Sequence, residues 1–358
     1  MRSEPLDRAR PIAVLGATGA VGNELLAILA DHGIDSSRVT AYASARSTGQ
    51  LLHMGPSHLR VAEIDTFRPQ ADQLVFLAVD SSAARRFAEV AVGAGARVID
   101  LSAAHREDPD VPLVVPQING HLLDEDPRLV ASPNCCAAIL VTALAPLVHV
   151  AESNGSRITE LRVATYQSVS GAGRAGIEEL LESTRAALVA ADFQPAVFPV
   201  SCAFNVFPHE STLDPESGRN GEEDKLLRET QKLLAEPIPM ETTCVRVPVL
   251  RVHALAVSVE LSQPVELAKL ENAFRTDPSI RFRSAAERPF AASDAAGRDH
   301  VLVSRLRPSS LRTRGPSAAA LSPSTGSDAW QLWVLGDQLR KGAALNAIEI
   351  ALAGGWLH

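Results

Sequence analysis

The chain has 358 residues, 34 Lys and Arg against 42 Asp and Glu for a formal charge of −8, and 46% hydrophobic residues. That length allows two domains with ample cores, and the acidic balance gives nucleic acid no long-range attraction. No run reaches the roughly 18 consecutive apolar residues of a membrane span, the polar start lacks the apolar core of a secretory signal, and four irregularly spaced cysteines fit neither a disulfide framework nor a zinc site. The expectation is a cytosolic protein with no bound metal, nucleic acid or membrane.

The first predicted elements are a buried strand over 11–15, a turn with Gly16, Gly19 and Gly22, and a helix to about Ala30. Glycines there let backbone approach a pyrophosphate, and the amides and dipole of the helix N-terminus favour its charge. A second strand over 39–43 runs into Ser44, Arg46 and Ser47. In a βαβ unit that strand end faces the adenosine ribose, where an acid would bind a 2′-hydroxyl and an arginine accommodates a 2′-phosphate; Arg46 predicts NADP. A strand over 74–79, a helix over 82–93 and a strand over 97–101 extend the alternation into a doubly wound α/β sheet.

From about residue 158 the texture changes to longer strands over 157–166, 243–249 and 253–261, interleaved with helices over 175–190 and 221–235. This predicts a second, α+β domain. A Ser/Pro/Gly/Arg-rich stretch over 307–327 reads as a loop. A strand over 330–334 and an apolar helix over 338–354 follow, the helix packing back on the first domain. The predicted boundaries are 1–134, completed by 335–358, and 135–334.

Cys135 follows Pro133-Asn134 at the start of a helical run, where a helix N-terminus lowers a thiol pKa; Cys136, one residue further in, reads as the buried one. His253, at the start of an apolar strand, could partner a nucleophile or be a satisfied strand-end residue. Parity would send Arg246 and His253 to opposite faces of one unbroken strand, and Pro248 makes a break plausible, so spacing leaves their convergence open. Arg106, Lys225 and Arg246 are candidate anion binders. Glu222 and Lys225 share a helix face, for which a surface ion pair is the default. The turn Ser170-Gly171-Ala172-Gly173 reads equally as a structural loop, and His32, His53, His58, His149, His209 and His300 carry no motif and read as surface.

Nine collinear segments together resemble the aspartate-β-semialdehyde dehydrogenase family: GATGAVG at 16–22, SARSTG at 44–49, DPDVPLVVPQIN at 108–119, SPNC at 132–135, TYQSVSGAG at 165–173, AFNVFP at 203–208, EEDK at 222–225, CVRVPV at 244–249 and GDQLRKGAALNAIEIA at 336–351. The resemblance implies a Rossmann-type NADP-binding domain closed by the C-terminal helix, an α+β catalytic and dimerisation domain, and a homodimer or dimer of dimers. It implies Cys135 as nucleophile, His253 as acid/base and Gln167 as an orienting residue. Arg246 would hold the substrate α-carboxylate, Glu222 the α-amino group, and Arg106 and Lys225 the phosphate. NADP would lie on Thr18, Gly19, Ala20 and Val21, with Arg46 and Ser47 at its 2′-phosphate and Ser170, Gly171 and Gln338 near the nicotinamide. The implied reaction is reduction of aspartyl phosphate to the semialdehyde, feeding the biosynthesis of lysine, diaminopimelate, methionine, threonine and isoleucine.

The chain departs from the family pattern at Cys136, His105 and Gln338, and at Val252 and Ala254, where the family has Gly and Ser around the histidine. The changes at Val252 and Ala254 bear on how His253 is positioned, and Gln338 bears on the nicotinamide contact. They also keep open a non-catalytic paralogue acting as a binding protein and, further off, a reductase of N-acetyl-glutamyl phosphate.

Overall fold

The computed structural model describes residues 10–309 and 326–358, which form two compact units, 10–133 with 343–358 and 134–342. The division falls eight residues later at the C-terminal side than the boundary expected at 335, because the last strand and the turn after it belong to the second unit. Most of the expected loop over 307–327 lies outside the described residues, while its ends, Arg307, Pro308 and Ser327, are in strands.

The first unit runs β1 (Ile12–Leu15), α1 (Ala20–Asp31), β2 (Val39–Ala43), the hairpin β3 (Leu51–Met54) and β4 (Ser57–Arg60), β5 (Ala62–Glu63), β6 (Leu74–Leu77), α2 (Ser81–Gly93), β7 (Arg97–Asp100), α3 (Pro116–Asn119) and β8 (Leu129–Ala131). Its six-stranded sheet has the order β5-β2-β1-β6-β7-β8 and is parallel throughout. Strands buried on both faces need apolar residues at every position, which is why Ile12-Ala-Val-Leu15 and Leu74-Val-Phe-Leu77 lack polar residues. Ile12, Val14, Leu74 and Phe76 pack with Leu25, Leu26 and Leu29 of α1, while Ala13, Leu15, Val75 and Leu77 pack with Phe87 and Ala88 of α2. The C-terminal helix, Leu345–Ala353, joins the α1 side of this core through Leu345, Ile348 and Ile350.

The second unit begins with α4 (Cys135–Ser153) and continues β9 (Ile158–Gln167), α5 (Gly173–Leu188), β10 (Phe207–Pro208), α6 (Gly221–Leu234), β11 (Met240–Arg246), β12 (His253–Val265), α7 (Leu267–Thr276), β13 (Ile280–Phe282), α8 (Ala292–Ala295), β14 (Val301–Pro308) and β15 (Ser327–Gly336); the C-terminal helix of the first unit is α9. The mixed sheet has the order β10-β11-β9-β12-β15-β14-β13, with β11 parallel and β12 antiparallel to β9 between them. By length and composition α4 could cross a membrane, contrary to the expectation of no such segment; 72% of its most apolar window is buried, so it is the core helix of this unit, its apolar run broken by Thr142, Pro146 and His149. It lies close on the sheet because Gly336 has no side chain: a Cβ there would come 2.6 Å from Ile139.

Candidate active site

Three neighbouring strands end together. Arg246, the last residue of β11, registers with Gln167, the last of β9, and His253 begins β12, where Ala254 registers with Tyr166. Arg246 and His253 therefore flank Gln167 from either side, and the parity of a single strand does not apply. All three are buried. The connection between β11 and β12 passes through Val252 at φ +86°, a left-handed torsion unusual for a β-branched residue, held by donation from its N–H to Gln338 Oε1 at 2.9 Å.

Asn134 caps α4 by accepting from the Cys136 amide at 2.8 Å, and its own amide donates to Glu229 Oε2. Its side-chain nitrogen donates to Glu222 Oε1 at 2.9 Å, and Gln167 Nε2 approaches the same oxygen at 3.4 Å. The cap fixes the first turn of α4, leaving Cys135 half-buried and Cys136 buried. The Cys136 thiol donates to the Cys135 sulfur, and this hydrogen bond, aided by His253, outweighs burial and the charge of Glu222 to hold Cys135 well below the ordinary thiol range. The same contact and burial push Cys136 well above it.

His253 Nδ1 accepts from the Ser168 amide at 3.1 Å. The neutral ring then carries its proton on Nε2, which is buried without a hydrogen-bond partner; the reactive atoms of Cys135, Cys136 and His253 all lie within 4.8 Å of one another. Ser168 Oγ, 3.2 Å from His253 Nδ1, contacts Ser170 Oγ at 3.1 Å, and Gln338 Nε2 donates to Ser170. Both polar ends of Gln338 are thus engaged in fixing the 168–170 and 252 backbones. Gly171 sits against the cluster: a Cβ there would come 3.2 Å from Arg246 Nη1 and 3.4 Å from His253 Cε1.

Arg246 donates from Nη1 to the Ser168 carbonyl at 2.7 Å, from Nη2 to His209 Nε2 at 2.9 Å, and from Nε and Nη2 to both carboxylate oxygens of Glu210. His209, expected at the surface, is largely buried here, and burial lowers its pKa. Burial acts to raise Glu210, but the Arg246 hydrogen bonds and charge bring it below its usual range. The bidentate position on Arg246 is therefore filled by a carboxylate of the chain itself.

Glu222 and Lys225 make the expected ion pair, Lys225 Nζ standing 3.8 Å from Glu222 Oε2, but only the lysine end is at the surface: Glu222 is 5% exposed. Burial works against ionisation of Glu222, yet His209, the Asn134 hydrogen bond and Lys225 hold it below its usual pKa. Glu229, His209, Glu210 and Ser168 escape the sequence reading. A signal existed for Glu229: Glu222, Leu226, Glu229 and Leu233 form a buried helical stripe in α6, and an acid on a buried stripe needs a partner.

In the first unit, Gly19 starts α1 with no side-chain cap and no acid in the first turn. A Cβ on Gly16, at φ +85°, would come 2.1 Å from the Ala78 carbonyl oxygen, and one on Gly22 would come 2.3 Å from the Gly16 oxygen. The turn is drawn down onto the sheet, an open amide-bearing cradle that fits a pyrophosphate. Thr18, Ala20 and Val21 are half-buried around it, and Arg46 is exposed in the short 3-10 turn Ala45–Ser47 after β2. Arg106 donates to the carbonyls of Ser132 and Leu101, both at 2.9 Å, and His105 bonds Asp100 at 2.7 Å.

Residues 11–125 match the family description "Semialdehyde dehydrogenase, NAD binding domain" and residues 144–341 match "Semialdehyde dehydrogenase, dimerisation domain". Fold and site thus define a nicotinamide-dependent dehydrogenase of the semialdehyde class. An aspartate-semialdehyde dehydrogenase from a Synechocystis species is 38% identical over 97% of this chain and 98% of its own length, and aspartate-semialdehyde dehydrogenase 2 of Vibrio cholerae is 34% identical over 95% and 96%. The crystal structure of Vibrio cholerae aspartate semialdehyde dehydrogenase II complexed with ASA superposes with a TM-score of 0.86 at 32% identity, covering 97% of this chain and 98% of that one. The chain belongs to the aspartate-semialdehyde dehydrogenase family.

Proposed function

We propose that the chain reduces L-aspartyl 4-phosphate to L-aspartate 4-semialdehyde and phosphate with NADPH, in amino-acid biosynthesis. The observation that carries this reading is the half-buried, pKa-lowered Cys135 beside the unpartnered Nε2 of His253, in a chain similar over nearly its whole length to enzymes named for that aldehyde. The Cys135 thiolate attacks the acyl carbon, phosphate leaves, and a thioester forms on sulfur. NADPH, when bound, supplies the hydride that reduces this thioester. His253 Nε2 gives its proton to the oxygen of the resulting hemithioacetal and takes it back as the thiolate leaves. A thiolate is a good enough leaving group for both halves of the reaction.

Glu222, with Asn134 and Gln167 fixing its oxygens, is suited to the substrate ammonium. Arg246 takes the α-carboxylate by exchanging it for Glu210, and Arg106 and Lys225 serve the phosphate. Thr18, Gly19, Ala20 and Val21 hold the pyrophosphate of NADP, Arg46 and Ser47 its 2′-phosphate, while Ser170, Gly171 and Gln338 shape the wall for the nicotinamide. A cytoplasmic homodimer is the assembly proposed, in keeping with the matched dimerisation domain. The test is phosphate-dependent reduction of NADP by purified protein with aspartate semialdehyde, beside Cys135→Ser. Turnover needing both phosphate and Cys135 is expected; a folded, NADP-binding protein without turnover overturns the proposal in favour of a non-catalytic paralogue.

A further inference from the structure

Two thiols and an imidazole nitrogen converge at the start of α4, and the proposed chemistry uses only one of the thiols. Cys135 Sγ, Cys136 Sγ and a ring nitrogen of His253 lie within 4.8 Å of one another. A tetrahedral zinc ion holds thiolates at about 2.3 Å and imidazole at about 2.0 Å, so its ligand atoms stand roughly 3.5–3.8 Å apart; rotamer adjustments of about an ångström close the set. Two features beyond proximity point to a ligand. His253 Nε2 is fully buried with no partner, and the Ser168 hydroxyl oxygen, 3.2 Å from Nδ1, can accept from Nδ1–H once Nε2 is the lone-pair nitrogen, the kind of outer contact that orients a ligating imidazole. Cys135 is half-buried rather than sealed, which gives a hydrated ion a route to one ligand before it sheds water for the other two.

We propose that Cys135, Cys136 and His253 form a binding site for a zinc-group divalent cation, Zn2+ or Cd2+, with the fourth position left to water. The chain contributes two sulfurs and one nitrogen, a donor set that suits these soft ions and excludes Mg2+ and Ca2+. On binding, S–metal bonds form at both cysteines, any thiol protons still present pass to solvent, and the His253 proton moves from Nε2 to Nδ1, where Ser168 Oγ accepts it in place of the amide donation, so that the Nε2 lone pair faces the metal. Occupied in this way, Cys135 shares its charge with the metal and loses nucleophilicity, and the ion stands where the carbonyl carbon must approach, so the metal holds the enzyme reversibly inactive. The first sulfur alone, with a histidine, makes a poor chelate; Cys136 turns a reactive cysteine into a metal site.

The test uses the whole protein under reducing, oxygen-free conditions without substrate or nucleotide, so that it stands apart from the proposed reaction. Zn2+ is titrated against a chromophoric chelator, and Cd2+ is followed by its thiolate charge-transfer absorption. One ion per chain is expected, with a Cd2+ band of two-thiolate intensity. Cys136→Ser and Cys135→Ser should each weaken binding by at least about 100-fold and halve the band, His253→Ala should weaken binding by about 10-fold or more, and Cys202→Ser should leave it unchanged. Zn2+ should also shield the half-buried Cys135 from alkylation in the unaltered protein, which keeps the test decisive if a variant misfolds. Binding unaffected by Cys136→Ser, a one-thiolate band, or no protection of Cys135 overturns the site.

Discussion

The helix N-termini of α1 and α4 have the same backbone chemistry and opposite uses. At α1 the cap residue is Gly19, with no side chain to satisfy the first amides and no acid in the first turn, so the positive end of the helix is left for an anion from outside. At α4 the cap is Asn134, whose side chain accepts from the Cys136 amide, and the group placed at the positive end is the chain's own Cys135, whose thiol is held well below the ordinary range by the Cys136 thiol and His253. The open terminus suits a ligand that comes and goes; the capped one suits a charge that must stay in place through a reaction. A helix N-terminus is therefore not a site by itself, and its first residues decide whether it binds or positions.

The contrast can be broken most strongly at the capped terminus. Cys135→Ser should lower turnover by about a thousandfold or more while leaving NADP affinity within about twofold, read by steady-state rates and fluorescence titration. At the open terminus, Gly22→Ala places a Cβ about where the Gly16 carbonyl oxygen lies, 2.3 Å away; a loss of about 3 kcal/mol in denaturant unfolding is expected, with NADP binding lost in parallel. Arg46→Glu should weaken NADP by roughly 30- to 100-fold and NAD by only a few-fold; equal losses would remove the 2′-phosphate role.

Smaller effects sharpen the comparison. Asn134→Ala removes the cap of α4 and should destabilise the protein by about 1–2 kcal/mol, whereas Gly19→Ser, which supplies a cap to α1, should compete with the pyrophosphate and weaken NADP. The smallest effect concerns the Cys136 donor. Because its hydrogen bond lowers the Cys135 pKa, Cys136→Ala should move the acid limb of the rate profile to higher pH, and Cys136→Ser, which still donates, should restore it; an unmoved limb in Cys136→Ala would show that the thiol is not the donor.

The core of the first unit was legible in the sequence. Its strands β1 and β6 are short, parallel and wholly apolar, and its glycines fall where the turn requires them, so local pattern and tertiary role coincide. β2 over Val39–Ala43 falls on its expected bounds, and α2 begins at Ser81, one residue before expectation. In the second unit the strands were visible and the site was not, because it is assembled from residues far apart in the chain. Nothing near Arg246 announces that Glu210 will take its guanidinium, and nothing near His209 marks it as buried. The hairpin Leu51–Arg60 and the strand β14 were also missed: mixed burial in the first hides the alternation, and the unpatterned stretch beside the second obscures its end.

Val252 shows what a position can specify. Its buried side chain packs with Ala254, Ala295, Leu302 and Leu335, while its backbone sits at φ +86° with its amide tied to Gln338. A β-branched residue carries a torsional penalty at that angle, of order 1–3 kcal/mol, which the packing of its buried side chain offsets. Glycine escapes the penalty and forfeits the packing. The two opposing contributions are of similar size, which makes 252 a near-degenerate site in sequence space: it can exchange glycine for a large aliphatic residue while the chain keeps the same bend, and the imidazole that follows keeps its aim.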